Sequence, residues 1–127
     1  MSNYIVYHNP DKMPFPASES AFAVLTNKTV SQNVCGSTIW LITGDCRPRR
    51  FYLVLNFIAD VVESGKDDGF RTRIRGEHGH KFDPKIRIDD QPWFPEFKRR
   101  QGNFSFGFSP IGDDRVIAGL EEFVNRH

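Results

Sequence analysis

The sequence predicts an α+β fold: a small twisted antiparallel sheet or partly closed β-barrel, with a helix at the C-terminus. Three observations predict it. Ten glycines and eight prolines punctuate the 127 residues along their whole length. Between them lie short runs rich in β-branched and aromatic residues, the composition of strands. Only the last segment carries a sustained helical stripe: Val116, Ile117, Leu120, Phe123 and Val124 repeat at helical spacing behind an Asp113 or Asp114 cap. Six or seven short strands and one clear helix result, in one domain over 1–127. Barrel closure would hide the sheet edges from other chains.

The elements follow in order. Residues 4–8 form a β-rich run that stops at Asn9-Pro10-Asp11, and the two prolines of 13–16 make a loop. Ser18 suits a helix cap for 18–27, but the β-branched Thr26, Thr29 and Val30 favour a strand at 21–25. Thr38–Thr43 contains Ile39-Trp40-Leu41-Ile42, an unbroken apolar run that reads as a central strand. A turn with Arg47, Pro48, Arg49 and Arg50 follows, then 51–63 as one long strand or two joined by a bend. Residues 65–69 read as a charged turn, 70–75 as a strand, 76–84 as a loop and 85–88 as a short strand. One or two helical turns fit 93–100 after Pro92. In 103–108 Phe104, Phe106 and Phe108 alternate with Asn103, Ser105 and Gly107, the period of a strand with a core face.

Charge is nearly balanced: 17 Lys and Arg against 16 Asp and Glu, a net +1. That excludes a protein coating nucleic acid by bulk charge. The balance is not uniform, because 71–100 holds nine basic and five acidic residues. Met1–Tyr7 has neither a basic flank nor a long apolar stretch, so no secretory leader is expected. The greasy run 51–62 is broken by Asn56 and Asp60, too short for a membrane span. Cys35 and Cys46 lack Cys-x-x-Cys spacing and read as free thiols, so cytoplasm is the expected compartment.

Four groups of residues bear on chemistry. Arg71, Arg73 and Arg75 alternate on one strand and so share a face. Lys85 and Arg87 repeat the design, and if the two strands pair as neighbours, five cations share one surface suited to phosphate. The bland alternative pairs those arginines with Asp60, Glu63 or Asp67 across strands. Next, Lys98-Arg99-Arg100 precede Gln101 and Asn103, polar side chains able to bond a base edge. Trp40, Trp93 and Phe94 are the rings assigned to stacking. The third group is His78 and His80 with Asp83, a His-x-His pair plus a carboxylate that suits a metal, or else an exposed turn. Finally, Tyr7-His8-Asn9 and Thr26-Asn27-Lys28 end strand-like runs, so both are placed on a rim of the sheet. Turn chemistry explains their asparagines equally well. The chain has no phosphate-loop glycine motif, nucleophile elbow or paired acid and base.

The run 36–63 opens with Gly36, passes through Ile39-Trp40-Leu41-Ile42 to Thr43-Gly44, turns, and enters a long strand. Preceded by the short strand that ends at His8 and Asn9, it resembles the EVE-like members of the PUA-like superfamily. The resemblance implies a twisted barrel-like sheet and a pocket that reads RNA or a modified DNA base. It implies that His8, Asn9, Trp40 and the Thr43-Gly44 turn line that pocket, and that such a module works beside a separate nuclease. The expected function is therefore a non-enzymatic nucleic-acid-binding module with no cofactor. Its contacts are His8, Asn9, Trp40, Thr43, Arg71, Arg73, Arg75, Trp93, Arg99, Arg100, Gln101 and Asn103. The competing expectations are a metal-dependent enzyme built on His78, His80 and Asp83, and a protein-interaction module or homodimer that uses Trp93, Phe94 and Phe97.

Overall fold

The computed structural model describes residues 2–8, 22–26, 28–45, 49–64, 72–104 and 108–126. In chain order their elements are β1 (Asn3–His8), β2 (Ala23–Thr26), β3 (Thr38–Asp45), β4 (Arg50–Ile58), β5 (Val61–Ser64), β6 (Thr72–Arg75), β7 (Gly79–Arg87), α1 (Phe94–Arg100), β8 (Phe108–Pro110) and α2 (Asp114–Arg126). Strands β7-β4-β3-β1-β8 form one sheet and β2-β6-β5 a second.

The two sheets and two helices stack in three layers. Ile5, Trp40, Ile42, Phe51 and Leu53 of the central sheet pack with Phe94 and Phe97 of α1 and Val116, Leu120 and Phe123 of α2. On the opposite face Val6, Ile39, Leu41, Leu55 and Phe57 pack with Val24, Val62 and Ile74 of the small sheet. β3 therefore faces a core on both sides. That is why Ile39-Trp40-Leu41-Ile42 is apolar at every position instead of alternating. Opposite it, the β3–β4 register passes from Leu41↔Leu55 to Ile42↔Leu53. Val54 is the extra residue of this bulge, and Val54 and Leu55 both enter the small-sheet core.

Residues 51–63 are two strands, not one. The chain leaves the central sheet at Ala59, whose N–H donates to the Ser37 carbonyl at 2.9 Å. It enters the small sheet at Asp60, whose N–H donates to the Arg75 carbonyl at 2.8 Å. The strand reading of the Ala21–Leu25 segment holds for Ala23–Thr26. The stripe of α2 lies as expected: Val116, Leu120 and Phe123 are buried, with Ile117 and Val124 half-buried against the same core. Asp113 caps it, its Oδ1 accepting from the Arg115 N–H at 2.9 Å.

Four expectations are corrected. The described strands form two open sheets and not a barrel, and β1 pairs with β3 in parallel, so the large sheet is mixed. The segment 76–84 is not all loop, because β7 begins at Gly79 and pairs with β4 as an edge strand. Residues 103 and 104 are not in a strand: Gly102–Phe104 is a 3-10 turn, with Phe104 at φ 64°. Phe104 consequently joins the helix-side core while Phe108 joins the small-sheet core, so the two rings do not share a face. Lastly, β6 and β7 lie in different sheets, and their cations do not form the single five-residue surface.

Candidate functional site

The register places a polar row across one end of the central sheet. His8 on β1 lies opposite Thr43 on β3, Thr43 opposite Tyr52 on β4, and Tyr52 opposite Arg87 on β7. Directly opposed residues point to the same face, here the one that carries Val6, Leu41 and the small sheet. β1 and β3 end at this rim, β4 begins there, and β7 returns to it. Four strand termini thus meet.

His8 and Thr43 are buried. The Thr43 hydroxyl donates to the His8 carbonyl at 3.0 Å, and its Oγ1 lies 3.5 Å from His8 Nδ1. Outward along the row Tyr52 is half-buried, and the Lys85 ammonium sits 4.8 Å from the centre of its ring. Such a contact holds the ring and the cation in register. Arg87 is exposed and bonds Asp89, which raises its already high pKa. Arg50 extends from the same strand as Tyr52 and is exposed.

The helix-side face of the rim is also cationic. Arg49 Nη1 donates to the Tyr7 hydroxyl at 2.6 Å. Its stem crosses Gly44, where a Cβ would come within 2.7 Å of Arg49 Cδ and 2.4 Å of Tyr7 Oη. The Tyr7 ring stacks on Phe104 with centroids 5.5 Å apart and meets Phe51 at 6.0 Å. Lys98, reaching down from α1, places its ammonium 5.0 Å from the Phe51 ring centre. Arg49 and Lys98 thus lie against Tyr7 and Phe51 on the helix-side face, and Arg50, Lys85 and Arg87 stand with Tyr52 on the opposite face. The sequence places Lys85, Arg87, Lys98 and Tyr7 in other groupings, whereas Arg49, Arg50, Phe51 and Tyr52 were not among the expected contacts. The run Arg49-Arg50-Phe51-Tyr52 was the available signal, since it sets two cations beside two rings at a strand start.

The expected contacts separate. His8 and Thr43 belong to the rim, while Asn9 and Arg71 lie outside the described residues. Arg73 and Arg75 are exposed on the outer face of the small sheet, where Arg75 Nε pairs with Glu63 at 2.6 Å. Trp40 is only 1% exposed, and its indole N–H donates to Asn3 Oδ1 at 2.9 Å, so neither ring face is open to a base. Trp93 is half-buried between Phe97 of α1, 5.9 Å away, and Gly119 of α2. Phe94 and Phe97 are buried in the core, which removes the expected aromatic surface patch. Arg99 and Arg100 are exposed on α1, and both reach Glu96, at 3.7 Å and 3.0 Å. Glu96 also binds Arg115 at 3.0 Å. Arg115 and Arg100 hold the Glu96 carboxyl below its usual pKa, the Arg115 hydrogen bond first.

Gln101 is buried and spans α1 and β8. Its amide donates to the Pro110 carbonyl at 3.2 Å, and its carbonyl accepts from the Ser109 hydroxyl. Asn103 lies in the 3-10 turn. His78 is exposed, Asp83 is exposed, and the His80 ring packs 4.7 Å from that of Phe82. Among the described residues, no three His, Cys, Asp or Glu side chains group closely enough to hold a metal ion. Nor is any helix among them long and apolar enough to cross a membrane. No family model, curated protein or solved structure matches this chain.

Proposed function

We propose that this chain is a non-enzymatic nucleic-acid-binding module that engages its ligand at the rim of the central sheet. The observation that carries the reading is that both faces of this rim set cations against rings: Arg49 on Tyr7 and Lys98 over Phe51 toward the helices, and Lys85 over Tyr52 with Arg50 and Arg87 beside it toward the small sheet. Arginine forks and lysine ammonium groups are the usual phosphate contacts, and neighbouring aromatics supply stacking surface. Arg73 on the small sheet is a second cationic face, weakened by the carboxylate of Glu63 beside it. A narrower form of the reading follows from the EVE-like resemblance: the ligand is RNA or carries a modified base, His8 and Thr43 form the inner wall of its pocket, and a separate nuclease acts on what is bound.

Fluorescence anisotropy of labelled oligonucleotides tests the proposal. Single-stranded DNA, single-stranded RNA, duplex DNA and base-modified DNA are titrated with the protein at about 50 mM salt, where phosphate contacts are strong. Binding that weakens as salt rises supports the reading. Absence of binding to all four ligands contradicts it, and equal affinity for modified and unmodified DNA contradicts the modified-base form.

A further inference from the structure

We infer that the ligand at this rim is single-stranded, with a base stacked on Tyr52 and its phosphates beside Lys85 and Arg87 at the exposed end of the row. The inference rests on the nucleic-acid reading above and narrows its ligand class.

The first support is the shape of the row. His8 and Thr43 at its inner end are buried, so the accessible part is Tyr52 and Arg87 on two adjacent strands, lying along a sheet face rather than projecting from it. Reading duplex DNA takes an element that enters a groove about 12 Å wide, a helix or a two-stranded ribbon. β4 cannot serve as one, because β3 and β7 flank it on both sides. α1 is only seven residues long, buries Phe94 and Phe97, and ties Arg99 and Arg100 to Glu96. A single strand needs no such element. Its phosphates follow a cationic track, and its bases swing onto rings.

The second support is Tyr52 itself. Across β3 its register partner is Thr43 and across β7 it is Arg87, so the ring stands between a buried hydroxyl and an exposed guanidinium. Lys85 lies over it at 4.8 Å. A ring with the Lys85 ammonium over it at a strand start is prearranged for a base whose phosphate that cation neutralises, with the Asp89-paired Arg87 next to it. In a duplex the bases are already stacked on each other and cannot reach it.

The test compares a ten-nucleotide single strand with a duplex of the same sequence by anisotropy, on wild type, Tyr52→Phe, Tyr52→Leu and Lys85→Gln. The single strand is expected to bind at least tenfold tighter than the duplex. Tyr52→Phe keeps the affinity, and Tyr52→Leu loses about fivefold or more, the loss of one stacked base. Lys85→Gln, at the sheet edge, flattens the log–log salt slope by about 0.7, one single-strand phosphate contact. Duplex binding as tight as single-strand binding overturns the inference and leaves the nucleic-acid reading standing. Wild-type affinity in a folded Tyr52→Leu, or an unchanged slope in Lys85→Gln, also overturns it. Failure of every oligonucleotide to bind overturns both.

Discussion

Arg49 reaches back 42 residues in sequence to donate a 2.6 Å hydrogen bond to the Tyr7 hydroxyl, and it does so across the bare backbone of Gly44. The bond joins the start of β4 to the end of β1 over the intervening end of β3. Gly44→Ala would push its methyl into both side chains. Crowding of this kind costs about 1–3 kcal/mol. The variant is expected to fold with a reduced melting temperature and to bind oligonucleotide more weakly, because Arg49 is displaced from Tyr7. Thermal melting and anisotropy on one preparation check this; unchanged affinity would show that Arg49 takes no part.

Gln101 joins the end of α1 to β8 through two part-buried hydrogen bonds. Replacing it with leucine removes both bonds, at a cost of about 0.5–1.5 kcal/mol for each. Gln101→Leu should therefore lower the denaturation midpoint while leaving the order of preference among oligonucleotides unchanged. A switch in base preference would mean that Gln101 reads a base edge after all.

Gly119 sits inside α2, where alanine ordinarily stabilises a helix by about 1 kcal/mol. Here the sign reverses. A Cβ at this position would come within 2.4 Å of Trp93 Nε1, and Trp93 is fixed by Phe94 and Phe97. Gly119→Ala is expected to melt lower than wild type, and the added Trp93→Leu change to recover part of the loss. Calorimetry decides it: a raised melting temperature for Gly119→Ala would contradict the packing.

Glu96 and Asp113 predict how stability responds to acid. Hydrogen bonds from Arg115 come first in lowering both carboxyl pKa values, and the Arg100 charge adds to the effect on each. A carboxyl with a depressed folded-state pKa stabilises the fold above its unfolded pKa of about 4 and loses that contribution as pH falls through the folded value. Melting temperature should fall as pH drops below about 5. Glu96→Gln should differ from wild type at pH 7 and converge with it toward pH 3. A constant difference across that range would show that the carboxylate is not what links α1 to α2.

What was legible in the sequence was local. Val116, Leu120 and Phe123 repeat at helical spacing, so α2 could be read directly. The unbroken Ile39–Ile42 run marked a strand with a core on each face. Phe104 and Phe108 misled, because alternation has meaning only while the backbone stays extended, and the left-handed turn at Gly102 and Phe104 breaks the parity. β7 was obscured by Gly79 and Pro84, residues an edge strand tolerates. Of the rim, Tyr7, His8 and Thr43 were legible as strand ends; the rest was hidden for a different reason. Tyr52 meets Arg87 and Lys85 only through the β4–β7 pairing, and Tyr7 meets Arg49 only through β1 and β3. Strand pairing is non-local, and Arg71–Arg75 drew attention because their alternation is visible without it.

Binding at the rim is tested most directly by the salt dependence of single-strand affinity between about 50 and 200 mM, measured for wild type, Arg49→Gln/Arg50→Gln and Arg73→Gln/Arg75→Gln. Rim binding predicts that the Arg49/Arg50 pair flattens the log–log slope by about 1.4, two single-strand phosphate contacts, while the Arg73/Arg75 pair changes it by much less. A slope unaffected by the Arg49/Arg50 pair, or lost with the Arg73/Arg75 pair instead, would contradict it.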